Sequence, residues 1–136
     1  MRPAEARRLF GAARVARLAT TSASGEPHIV PFTFAMDGDL IYSAVDAKPK
    51  STTNLKRLRN IRENPNVTAL ADHYSDDWSS LWWVRADGQA QVMEDPDDMA
   101  RPLRLLAGRY TQYVASPPGG PVIVIQVDRW TGWSAT

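Results

Sequence analysis

The sequence predicts a mainly β domain, a small antiparallel barrel of about six strands with two or three helices over its openings and flanks. Three observations point there. A hairpin and a third strand come before any long helix, which is not the strand–helix alternation of a parallel sheet. The segment Leu81 to Met93 alternates apolar and polar side chains for its whole length. The chain has 136 residues, 43% hydrophobic and 23% charged, which suits one globular domain spanning 1–136.

Pro3 to Ala13 reads as a short amphipathic helix, with Pro3 in its first turn and Leu9, Phe10 and Ala13 on one side. A strand follows over Ala16 to Thr21, then a turn cluster from Ser22 to Pro27. His28 to Ala35 is expected to form one strand. Pro31 inside it argues for a sheet edge, or for a place where the missing N–H faces something other than a neighbour strand, because proline cannot donate to a ladder. Asp37-Gly38-Asp39 is a hairpin turn into the apolar strand that starts at Leu40.

That strand ends in small and hydroxyl residues. Lys48 and Lys50 then bracket a proline, and Ser51, Thr52 and Thr53 lead to a helix expected over Asn54 to Asn64. Lysines ahead of a helix start face its partial positive charge, so they become favourable when an anion lies among them. The plain alternative is two solvated loop lysines. In the helix itself, Leu55, Leu58 and Ile61 share a face, and Lys56, Arg57, Arg59 and Arg62 supply charge.

Val67 to Tyr74 is the next strand, and Ser75 to Trp78 a polar corner. In Leu81 to Met93, Trp82, Val84, Ala86, Ala90 and Val92 fall on one face, and Gly88 marks a bulge or a close backbone approach. Asp95 opens a helix to about Tyr110, with Met99, Leu103, Leu106 and Tyr110 facing the core. Ala115 to Gly120 is a loop, and Val122 to Trp133 the closing strand.

Charge is uneven along the chain. Residues 1–71 hold eleven Lys/Arg against six Asp/Glu, and residues 72–136 hold five against nine. The imbalance suits a localised anionic partner or two copies packed head to tail, or is an ordinary uneven surface. Met1 to Arg17 has five arginines and one acid, yet no uninterrupted apolar core of a secretory signal, and a strand follows at once. A cytoplasmic location is expected, and no apolar run approaches membrane-spanning length.

Several chemistries lack their residues. With no cysteine, thiolate chemistry is excluded and a zinc site would rest on His28, His73 and carboxylates; ordinary structural histidines are the simpler expectation. There is no dinucleotide fingerprint, phosphate-binding loop or serine nucleophile elbow. Asp76-Asp77 reads as a turn or cap. Five tryptophans exceed what one small core can bury, so exposed aromatic surface is expected, at an interface or around a flat aromatic ligand. An anion anchor beside such surface points to a planar cofactor with a phosphorylated tail.

Two segments resemble a known family. Ser43 and Lys48-Pro49-Lys50, after a Pro31-bearing strand, look like the cofactor-phosphate motif of the pyridoxamine-phosphate-oxidase-like split β-barrel proteins. Asp76-Asp77-Trp78, with Leu81-Trp82-Trp83-Val84-Arg85, Gly88 and Ala90, resembles the branch that binds the deazaflavin coenzyme F420. The resemblance implies a six-stranded antiparallel split barrel forming a homodimer, with two cofactor sites at the subunit interface. It places the ring along Val30, Pro31, Phe32 and Thr33, and the phosphate on Ser43, Lys48 and Lys50 with Ser51 or Thr52. Trp78 and Trp82 would come from the partner subunit. The helix after Lys50 is longer than in some relatives, and its Arg57 and Arg59 would either reach an acidic oligoglutamate tail or lie in solvent.

The implied function is an F420-dependent oxidoreductase that passes a hydride between the reduced coenzyme and an unsaturated organic substrate. No acid–base residue is assigned; His73 and Tyr74 are the nearest candidates, and a solvent proton would also serve. The alternatives are an FMN-dependent enzyme of the same fold and a non-catalytic cofactor carrier. Nucleic-acid binding by the basic run 48–62 ranks last, because that run has no aromatic residue.

Overall fold

The computed structural model describes residues 1–45 and 55–136. In chain order these form α1 (Pro3–Ala12), β1 (Ala16–Thr21), β2 (Pro27–Phe32), β3 (Ala35–Asp37), β4 (Leu40–Ala44) and α2 (Lys56–Glu63). Then come β5 (Asn66–His73), a single 3-10 turn at Trp78–Ser80, β6 (Trp82–Met93), α3 (Pro96–Arg109), α4 (Gln112–Ala115) and β7 (Val122–Ser134). No helix among the described residues is long and apolar enough to cross a membrane.

Seven strands build one antiparallel sheet in the order β2-β1-β5-β6-β7-β4-β3. This corrects the expected strand count of the six-stranded antiparallel split barrel. The single strand read over His28 to Ala35 is two strands, and they lie at opposite edges of the sheet. Only Thr33 and Phe34 join them, so Phe32 and Ala35 are at most about 11 Å apart. The sheet must therefore curl until its edges nearly meet, although β2 and β3 do not pair.

Long-range contacts make this break. The Phe34 N–H donates to the Tyr110 hydroxyl at 3.1 Å, and the Phe34 carbonyl accepts from Arg109 Nη1 at 2.9 Å. The Tyr110 hydroxyl also lies 3.0 Å from the Phe34 carbonyl and 2.9 Å from that of Arg14, and its one proton can serve either. These bonds satisfy backbone groups that would otherwise continue a ladder.

The curled sheet has a core on each side. Inside, Ala16, Leu18, Ala69, Val84, Ala86, Ile123 and Ile125 pack with Phe10 of α1 and Leu58 and Ile61 of α2. The alternation expected in β6 is present: Val84, Ala86 and Ala90 are buried, and Trp82 and Val92 pack on the same cluster. On the other side, Tyr42, Ala44 and Val122 meet Met99, Leu106 and Tyr110 of α3 and its C-terminal flank. Asp95 caps α3, accepting from the Asp97 N–H at 2.9 Å.

Gly88 serves both roles read for it. The β6–β7 register shifts between Asp87 and Gly88, and a Cβ on Gly88 would lie 2.1 Å from the Gln126 carbonyl oxygen. The shift lets Val127 and Trp130, three positions apart, both turn inward. Helix α2 begins later than expected. Its N-cap is Leu55, which makes no side-chain capping bond. The charge imbalance is also smaller in space than in sequence, since Arg17–Asp72, Arg62–Glu94 and Arg101–Asp37 pair one half with the other.

Candidate functional site

Edge strand β2 begins the site. Its register with β1 pairs Pro31 with Arg17 and Phe32 with Ala16, so Pro31 faces out and Phe32 faces the core. The predicted sheet edge at Pro31 is observed. Where β2 ends, the crossing segment presents Thr33, whose hydroxyl lies 2.9 Å from that of Tyr113 on α4. Ser43 and Ala44 come from the end of β4, and Arg57 from the first turn of α2.

These residues enclose a groove of about 330 Å³, lined by Val15, Pro31, Phe32, Thr33, Ser43, Ala44, Arg57 and Tyr113. The chain thus brings together four of the residues read as cofactor ligands: Pro31, Phe32, Thr33 and Ser43. Val30 is not among them, because its register with Leu18 turns it toward the interior. Lys48, Lys50, Ser51 and Thr52 lie outside the described residues. They belong to the segment that joins Ala44 to Arg57, both of which line the groove.

Trp78 and Trp82 do not line this groove. Trp78 is 77% exposed on the 3-10 turn, and Trp82 packs against the inner core. Trp133 and Tyr74 are exposed as well, so the expected excess of aromatic surface is present. Asp77 of the polar corner is a cap: it accepts from the Ser79 N–H at 3.1 Å and hydroxyl at 2.6 Å. Those bonds hold its carboxyl below the ordinary range.

Arg57 and Arg59 separate clearly. Arg59 is exposed, whereas Arg57 is half-buried in the groove and makes no ion pair among the described residues. Burial lowers the pKa of its guanidinium. A partly desolvated cation beside a serine hydroxyl is an environment that an anion improves. Tyr113 and Val15 escape a sequence reading. Tyr113 sits one helical turn beyond Tyr110, and that spacing was the available sign that the two rings meet, 5.8 Å apart.

The histidines stand elsewhere. His73 is exposed at the end of β5, and His28 turns inward from β2 opposite Thr20. Among the described residues, the buried His28 Nδ1 has no hydrogen-bond partner. Among the described residues, no group of three potential ligands could hold a metal ion.

A family model described as pyridoxamine 5'-phosphate oxidase matches residues 3–134. The chain belongs to that family. Three crystal structures share the fold. A conserved hypothetical protein, Rv2991 from Mycobacterium tuberculosis, is 22% identical, with a TM-score of 0.76 over 99% of this chain and 86% of that one. An FAD-binding protein from Mesorhizobium loti is 20% identical, with a TM-score of 0.74 over 97% and 94% of the two chains. The heme storage protein HutZ from Vibrio cholerae is 15% identical, with a TM-score of 0.73 over 98% and 95%. No curated protein matches the sequence. The oxidase-family fold is shared with all three structures, while the flavin and the heme belong to those neighbours.

Proposed function

We propose that this oxidase-family protein binds a flavin-type cofactor in the Pro31 groove and works as an oxidoreductase, with coenzyme F420 as the cofactor. The observation that carries the proposal is the placement of Arg57. A half-buried guanidinium shares one groove with Ser43 and with the Pro31–Thr33 edge. A planar ring lies against such an edge without competing for a ladder, because proline offers no N–H.

The residues fit the group. Ser43 and Arg57 would hold the phosphate, with Lys48, Lys50, Ser51 and Thr52 supplying further donors. The ring would lie along Pro31, Phe32 and Thr33, with Val30 supporting the strand from inside. Such a cofactor supplies hydride chemistry when bound. The protein's part is to orient it, to keep water from one face, and to place the Thr33 and Tyr113 hydroxyls beside the ring. That pair replaces His73 and Tyr74 as the nearest proton source, since neither of those lines the groove.

A volume of about 330 Å³ is at the lower end of the range that encloses a drug-sized ligand, so one chain covers only part of the cofactor. We place a second copy over the remainder. The exposed aromatic corner at Tyr74 and Trp78, with Trp82 behind it, would close the partner's groove in a homodimer.

F420 rests on the resemblance of the Asp76–Ala90 segment to deazaflavin-binding proteins. FMN is the second reading, favoured by the FAD-binding neighbour from Mesorhizobium loti. A heme has less support, because no histidine among the described residues lines the groove. Titrating the purified protein with F420 and with FMN, following tryptophan quenching, tests the proposal. Saturation by F420, lost in Lys48→Ala/Lys50→Ala, supports it, and saturation by FMN alone moves it to the second reading. Saturation by neither would sink both. Turnover of an enone panel then separates an enzyme from a carrier.

A further inference from the structure

A second groove, of about 550 Å³, runs between α1 and α3 and shares no lining residue with the first. Three arginines line it, Arg14, Arg104 and Arg109, over the apolar surface of Ala35, Met36 and Leu105, and no carboxylate does. The nearest acids on the β3–β4 hairpin are already engaged. Asp37 pairs with Arg101 at 3.0 Å, and Asp39 accepts from Arg7 at 3.2 Å and from Trp130 Nε1 at 3.0 Å.

Among the described residues, none of the three cations has a carboxylate partner. Arg109 spends two donors on the Phe34 and Ala13 carbonyls, and Arg14 spends one on the Arg109 carbonyl at 3.3 Å. A guanidinium has five donors, so most remain unused. The Tyr110 ring supports two of these cations, with Arg14 Cζ 5.3 Å and Arg109 Cζ 5.5 Å from its centroid. Burial, and secondarily the facing Arg14, lower the pKa of Arg109, while Tyr110 opposes that change. Like charges gathered at a groove repel one another until an anion joins them.

We infer that the groove between α1 and α3 is an anion-binding site for a small, multiply charged oxyanion, a phosphate ester or a polycarboxylate. Charged oxygens meet the guanidinium forks of Arg14 and Arg104, and Arg109 forms the fixed back wall.

Calorimetric titration of the full chain with inorganic pyrophosphate and with citrate, at low salt, tests the site and separates the two chemistries. Two variants probe it. Arg14→Gln/Arg104→Gln removes two exposed cations and leaves Arg109 in place. Gly108→Glu places a competing carboxylate where a Cβ meets nothing within 4 Å, on a helix that gains propensity from losing its glycine. At least one anion is expected to saturate, and each variant to weaken it about tenfold or more. The Arg129→Gln variant, which removes an exposed arginine that lines neither groove, is expected to bind as the parent does. Neither anion saturating, either groove variant binding like the parent, or Arg129→Gln losing the binding would overturn the inference.

Discussion

Asp39 shows how single residues tie this fold together. Its carboxylate accepts from Trp130 Nε1 and from Arg7, and those bonds, the tryptophan's first, hold its pKa below the ordinary value. A depressed folded pKa means stability that is present above the unfolded value of about 3.9 and is lost as pH falls through the folded one. Carboxyl-carbon NMR should therefore find an Asp39 midpoint below that of a free aspartate, and Trp130→Phe should raise it. Equal midpoints in parent and variant would contradict the contact. Some roles at this scale were legible in the sequence: Pro31 on an edge, Gly88 at a close approach, Asp77 as a cap. Arg57 was not, because Arg57 and Arg59 both flank the Leu58–Ile61 face and periodicity cannot say which of them faces a groove.

Elements succeed or fail on contacts that sequence proximity hides. Val30, Phe32 and Phe34 continue one alternation, so nothing local marks the end of β2. The break is imposed by Tyr110 and Arg109, 76 and 75 positions beyond Phe34. Tyr110→Phe should leave the Phe34 N–H without its partner and cost about 1–3 kcal/mol in a denaturant melt. A midpoint matching the parent would mean that the crossing is held by Arg109 alone. On the opposite wall, Gly88→Ala forces a Cβ against the Gln126 carbonyl, for a loss on the order of 2 kcal/mol by the same melt. No loss would show that the β6–β7 bulge can relax. Helix α4 and its Tyr113 went unread, since four residues beside a Pro/Gly loop carry too little pattern to announce a helix.

At the scale of the molecule, the antiparallel, helix-flanked class was legible from hairpin order and strand alternation. The number of strands was not, because it depends on the sheet curling back upon itself. The same curl places the end of β2 near β4 and α2, which is why residues far apart in sequence share one groove. It leaves Ile29 63% exposed, together with Trp78, Tyr74 and Trp133. Apolar surface of that extent suits a partner, and a second copy is the proposed one. Light scattering should give twice the mass of one 15.1 kDa chain, and Ile29→Glu should shift it toward the monomer. A monomeric parent would leave each groove without its second wall.

The Pro31 groove is proposed to hold the cofactor by its ring on one side and its phosphate on the other. A crystal structure of the protein soaked with F420, and in parallel with FMN, tests it most directly. Ring density against Pro31–Thr33 and a phosphate within hydrogen-bonding reach of Ser43 and Arg57 are the expected result. Density for the cofactor anywhere else on the chain would contradict it.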